Sequence, residues 1–260
     1  ANDGQTGYGR VYRSVLLSRR LDAFRTQVGA PLHTRASMVQ AMIDAGTTDL
    51  RGQEILPRVF DVLGDVSDLT VFEQDVVQRM KDWVGNGPNG LGAMRRDRNG
   101  PGLDVASLEY EDHAAVAFMD AWWNHMIDAL LPQITMVEDA GVMIGGRHNA
   151  PGASGSAFQG GYYGYVLRVL EMALGQSGAP YRRLACAGTG DLSDCRAALV
   201  TSLQDTIADL GNDVAQWDPS LERDDAIHAT ALGLAEPPEI HWENRPTWQQ
   251  VVQPTQDVLH

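Results

Sequence analysis

Ile240-His241-Trp242-Glu243-Asn244-Arg245-Pro246-Thr247-Trp248-Gln249-Gln250-Val251-Val252 is a dense run of polar and aromatic residues that obeys neither the helical nor the strand period. A core-filling segment repeats its apolar positions. This one does not, so something other than core filling selected it. The pattern changes just upstream, at Glu236: the pair Pro237-Pro238 precludes helix, while Ile240, Trp242, Val251 and Val252 suit one or two short strands or an ordered coil. Residues 236–260 are expected to form an extended tail.

Ahead of the tail, helices dominate. Residues 9–26 carry a stripe of Val11, Val15, Leu16, Leu21 and Phe24 flanked by Arg10, Arg13, Arg19, Arg20 and Arg25. Thr34 can cap a second helix with Met38, Val39, Met42 and Ile43 on one face, weakening at the β-branched pair Thr47-Thr48. A third runs from Gln53 to Leu63 and stops at Gly64. Asp68 can cap a fourth, on which Phe72, Val76, Met80, Trp83 and Val84 lead to Gly85. Residues 85–104 are rich in Gly and Asn and include Pro88 and Pro101, a composition that resists regular structure, so a long surface loop is expected there.

The longest helix follows over about 109–131, with Val116, Met119, Trp123, Ile127 and Leu130 on one side and Pro132 at its end; Trp122-Trp123 reads as core. After a loop from Gly145 to Gly161 comes a Tyr-rich helix over 162–174. Ser193 can cap a helix over 194–210 bearing Leu199, Leu203, Ile207 and Leu210, stopped by Gly211. No internal repeat is evident.

Composition bounds the function classes. The 260 residues, 43% of them hydrophobic, can fill an ordinary core, so the chain is globular. A formal charge of −14 disfavours nucleic acid and anionic membrane, whose phosphates are met by Lys and Arg. No apolar run reaches the roughly 20 residues that span a bilayer. The start, Ala1-Asn2-Asp3-Gly4, has neither a methionine nor a signal-peptide pattern, which is expected of a cut piece. The two cysteines, Cys186 and Cys195, offer no zinc-like pair of pairs. They are either free thiols or a bridge closing a short loop ahead of a helix, and the bridge is the favoured reading; it would place the protein outside the reducing cytosol, secreted or periplasmic.

Candidate chemistry is sparse. Asp97-Arg98-Asn99-Gly100-Pro101-Gly102 fits a calcium loop at positions one, three and six, but Pro101 stands where a fifth-position oxygen belongs and Leu108 where the closing glutamate belongs. His113, Asp120 and His125 share a helix, yet the histidines lie too far apart to face one metal. Gly152-Ala153-Ser154-Gly155-Ser156 is not a nucleophile elbow, since Ser156 replaces the second glycine. Asp112, Asp120 and Asp128 drift slowly round a helix and read as a wet face rather than an acid/base pair. The residues alone leave open a non-catalytic helical scaffold or binding module.

The tail nevertheless resembles the carboxy-terminal signature of the β subunit of the penicillin amidase family, in which a run close to His-Trp-x-Asn-Arg-Pro-Thr-Phe-Gln-Gln-Val-Val is usual. Tyr8-Gly9-Arg10-Val11-Tyr12-Arg13 with Leu17, Arg20 and Leu21 is similar to the family's Tyr-Gly-x-Val-x-Arg helix. Thr47-Thr48-Asp49-Leu50-Arg51-Gly52, Asp120-Ala121-Trp122-Trp123, Ser156-Ala157-Phe158-Gln159-Gly160-Gly161 and the Cys186 to Cys195 loop resemble actinobacterial members. Together these blocks span essentially the whole chain.

The resemblance implies an α+β fold class: the predominantly helical carboxy-terminal part of the β subunit of an αββα N-terminal-nucleophile hydrolase, residues 1–260 forming one segment of it. It implies a heterodimeric amidohydrolase cut from one precursor, whose amino-terminal serine uses its own α-amine as base and forms an acyl-enzyme. Its oxyanion is held by backbone N–H and an asparagine. Substrates would be linear acyl amides, among them β-lactam side chains, lipopeptide tails and acyl-homoserine lactones. Nucleophile and oxyanion asparagine would both lie upstream of Ala1, in the remainder of the β subunit, which with the α subunit would be the partner. Arg13 matches the arginine at the active-site rim, where a guanidinium can orient that amide or a substrate carboxylate. No cofactor is required. Asn2 falls where many members place an aspartate ligand of a structural calcium, and an amide oxygen there lacks the charge. The tail itself reads as structural, with Pro246 fixing a bend and Trp242 and Trp248 supplying buried surface.

Overall fold

A computed structural model describes residues 17–22, 34–85, 92–95, 112–132, 163–176, 184–219, 226–227 and 240–241. Residues 17–22 are helical. Among the described residues six further helices follow: α1 (Arg35–Thr47), α2 (Leu56–Leu63), α3 (Val71–Gly85), α4 (His113–Leu130), α5 (Tyr163–Ala173) and α6 (Leu192–Leu210). A π-helical turn, Arg51–Ile55, runs directly into α2. Short 3₁₀ turns cover Cys186–Gly188 and Val214–Gln216. Strand is scarce among the described residues: β1 (Ala226–Ile227) and β2 (Ile240–His241) pair antiparallel, Ala226 opposite His241 and Ile227 opposite Ile240. The start of the aperiodic tail is thus a strand, as Ile240 suggested, and its continuation lies outside the described residues.

Local signals set several ends as the sequence predicts. Thr34 caps α1 with a reciprocal box, its hydroxyl accepting from Ser37 N–H while Ser37 Oγ accepts from Thr34 N–H. Gly64 ends α2 at φ 58°, a left-handed conformation that a Cβ would strain, and its N–H donates to Phe60 C=O. Gly211 ends α6 in the same way at φ 80°.

Two caps differ from expectation. At α3 the cap is Thr70, whose N–H donates to Glu73 Oε2 at 2.7 Å while its hydroxyl accepts from Glu73 N–H; Asp68 instead binds Arg196. At α6 the helix starts at Leu192 with Asp191 as the cap residue, so Ser193 lies inside the first turn. Thr70 caps α3 through its own hydroxyl, whereas Asp191 makes no side-chain cap hydrogen bond at α6.

The core is built round α4. Its sequence is apolar on nearly every side, and it is buried on nearly every side. It packs along α6, where Trp122 Nε1 donates to Ser202 Oγ at 2.8 Å across the helix pair. Phe118 stacks on Trp217 with centroids 5.3 Å apart, and Phe72 of α3 meets the same indole edge-on. The expected Trp122-Trp123 core is confirmed, both side chains being buried. Near the amino-terminal end of α6, Arg196 donates to Leu63 and Asp65 carbonyls and to Asp68, closing the carboxy terminus of α2. Cys186 and Cys195 form a disulfide, Cα to Cα 5.4 Å, that ties the 3₁₀ turn to the first turn of α6.

The 85–104 stretch corrects a further expectation. Among its described residues Ala93, Met94 and Arg95 are buried rather than on the surface. Ala93 N–H donates to Trp83 C=O, Ala93 C=O accepts from Asp49 N–H, and Met94 C=O accepts from Trp83 Nε1–H. This short arm is stitched between the end of α3 and the exit of α1, with Met94 bridged to Thr48. Its close approach requires Gly52: a Cβ there would lie 2.3 Å from the Ala93 Cβ.

Candidate functional site

Where the arm meets α4, four charged side chains converge with no solvent around them. Asp49 leaves α1 and accepts from its neighbour's backbone at Arg51 N and from the Arg51 guanidinium at 2.6 Å. Arg51, turned inward by the π-helical turn, reaches Asp120 Oδ1 at 2.5 Å and lies 6.0 Å from the Trp123 ring centroid. Arg95, from the arm, grips Asp120 with two parallel bonds of 2.9 Å and touches Asp49 at 3.3 Å. None of the four is more than 2% exposed.

Two carboxylates balance two guanidiniums, and the electrostatics follow from that. Burial pushes the Asp120 carboxyl up, but the charges of Arg95 and Arg51 and their hydrogen bonds outweigh it, holding its pKa at about 2. For Arg51, burial opposes the charge; Asp49 and Asp120 more than restore it, so the guanidinium is held above its ordinary value. Neither group is poised to exchange a proton near neutral pH. The tetrad can fix three chain segments relative to one another.

A third buried arginine adjoins the tetrad. Arg20, in the helical stretch 17–22, is 2% exposed and donates to Thr48 Oγ1 at 2.8 Å and to Met94 Sδ at 3.2 Å. Thr48 in turn donates to Asp44 C=O at 2.6 Å. Next to Arg20, Arg19 pairs with Glu54 of the π-helical turn.

The sequence-predicted candidates fare unevenly. Arg13 and Asn2 lie outside the described residues, as do the Asp97 to Leu108 loop and the Ser154 and Ser156 stretch. His113 is exposed and His125 pairs with Asp209 across α4 and α6 at 2.8 Å, so the two histidines share no site. The expected wet face of Asp112, Asp120 and Asp128 is corrected at two of its members. Asp112 caps α4 and binds Arg79, and Asp120 is the buried centre of the tetrad; Asp128 is exposed. Among the described residues no group of His, Cys, Asp and Glu could hold a metal ion. A surface cleft of about 540 Å³ between α3 and the start of α4 has Phe72, Val214, Asp75, Asp82, Arg79 and Asp112 among its lining residues, with no serine, threonine, cysteine, lysine or histidine in the lining. Among the described residues no helix is long and apolar enough to cross a membrane.

Asp49, Arg51, Arg95 and Arg20 were not singled out as functional by the sequence. Asp120 carried a readable signal: a lone carboxylate in the run Ala114 to Trp123, apolar on every side, must be paired inside. Arg95, in a Gly/Asn-rich loop, carried none.

The penicillin amidase family model matches residues 1–251, nearly the whole chain. The chain belongs to the penicillin amidase family. A search of curated proteins finds no match. Family membership makes the chain part of an amidohydrolase-type protein. In that setting the tetrad belongs to the framework of a penicillin amidase family member, and the block Thr47 to Gly52 that resembled the family supplies two of its four side chains, Asp49 and Arg51.

Proposed function

We propose that this chain is the carboxy-terminal part of the β subunit of an acylase that hydrolyses linear amides through an amino-terminal serine supplied by the rest of that subunit. The observation that carries the reading is the family match over residues 1–251. The serine amine takes the hydroxyl proton, Oγ attacks the amide carbonyl, and the C–N bond breaks as the leaving amine takes that proton. Water then hydrolyses the acyl ester and returns the free serine. The substrate class is an acyl amide: a β-lactam side chain, a lipopeptide tail or an acyl-homoserine lactone.

Within this chain, Arg13 is the residue proposed to reach the reaction, orienting the oxyanion asparagine or a substrate carboxylate from the active-site rim. Asn2 is the proposed contribution to a structural calcium site. The partners are the α subunit and the remainder of β. An oxidising compartment, secreted or periplasmic, is supported by the Cys186–Cys195 disulfide.

The test is hydrolysis by the intact processed enzyme of a panel of acyl amides: an arylacetyl β-lactam, a fatty-acyl peptide, an acyl-homoserine lactone and an N-acyl-p-nitroanilide. Release of amine from at least one, abolished when the amino-terminal serine is replaced by alanine, supports the acylase. A folded, processed protein that cleaves none of them leaves the scaffold reading in its place. Arg13→Ala should lower turnover with the melting temperature unchanged; unchanged kinetics would remove Arg13 from the site.

A further inference from the structure

We draw no further inference here: the strongest candidate, the surface cleft between α3 and the start of α4 lined by Phe72, Val76, Val214, Asp75 and Asp82, is an acidic cluster beside an apolar patch, and nothing in the structure shows what covers it.

Discussion

Arg95 and Asp120, 25 residues apart in the chain, meet through two parallel hydrogen bonds of 2.9 Å, and neither side chain is more than 2% exposed. One comes from the buried arm and the other from the middle of the buried helix α4, so the pair ties the arm to α4. Breaking a buried pair on one side strands the other charge, at about 3–5 kcal/mol, whereas replacing both sides with well-packed apolar groups is far milder. Arg95→Met and Asp120→Leu should therefore each lower the stability strongly, and Arg95→Met/Asp120→Leu should cost less than the sum of these two singles. Urea unfolding of the three variants measures it. Additive losses would mean that the charges are not coupled.

Gly52 tests the arm independently of charge. Its position 2.3 Å from where a new Cβ would meet Ala93 Cβ, with Trp83 at 3.0 Å on the same side, leaves backbone and a packed indole to give way. Gly52→Ala, on a helical turn that would otherwise welcome alanine, should destabilise by about 1–3 kcal/mol through overpacking. A melting temperature at or above wild type would show that the arm does not lie against the turn.

The elements that could be read from sequence are those whose cause is local. Thr34 and Gly64 mark their helix ends with their own side chain or its absence, and Trp122 and Trp123 sit in an apolar run that can only be interior. The misreadings share one origin. Asp120 was assigned to a wet face by eight-residue spacing from Asp112 and Asp128, but its partners lie 25 and 69 residues away, and no period reports contacts at that separation. Asp68 looked like a cap until Arg196, 128 residues on, claimed it. Met94 and Arg95 lie in a stretch whose glycines read as surface loop, because composition records backbone freedom and not the segment's destination.

The disulfide should be silent to reagents and audible in stability. Cys186 and Cys195 are both buried, so thiol labelling of the native protein should find no free thiol, and labelling of both would overturn the bridge. Replacing both with alanine opens a short loop that restricts the unfolded chain, at about 2–3 kcal/mol in the chain-entropy model. The loss should appear as a lower melting temperature under non-reducing conditions, and dithiothreitol should bring wild type toward the variant.

Acid stability follows from Asp120. Its carboxyl is held at about 2 against an ordinary value of 3.8, chiefly because Arg95 and Arg51 overcome the effect of burial. A depressed native pKa means that the unfolded chain binds the proton first as pH falls, so this contribution is fully present above about pH 4 and disappears as pH drops towards 2. The span corresponds to about 2 kcal/mol from this one group, while Arg51, held above its ordinary value, stays charged throughout and contributes no slope there. Stability measured by urea unfolding between pH 5 and pH 2 should fall more steeply in wild type than in Asp120→Asn, which has no proton to take up at that position. Parallel curves would mean that Asp120 titrates as freely in the native state as in the unfolded one, and that the two arginines do not hold its charge.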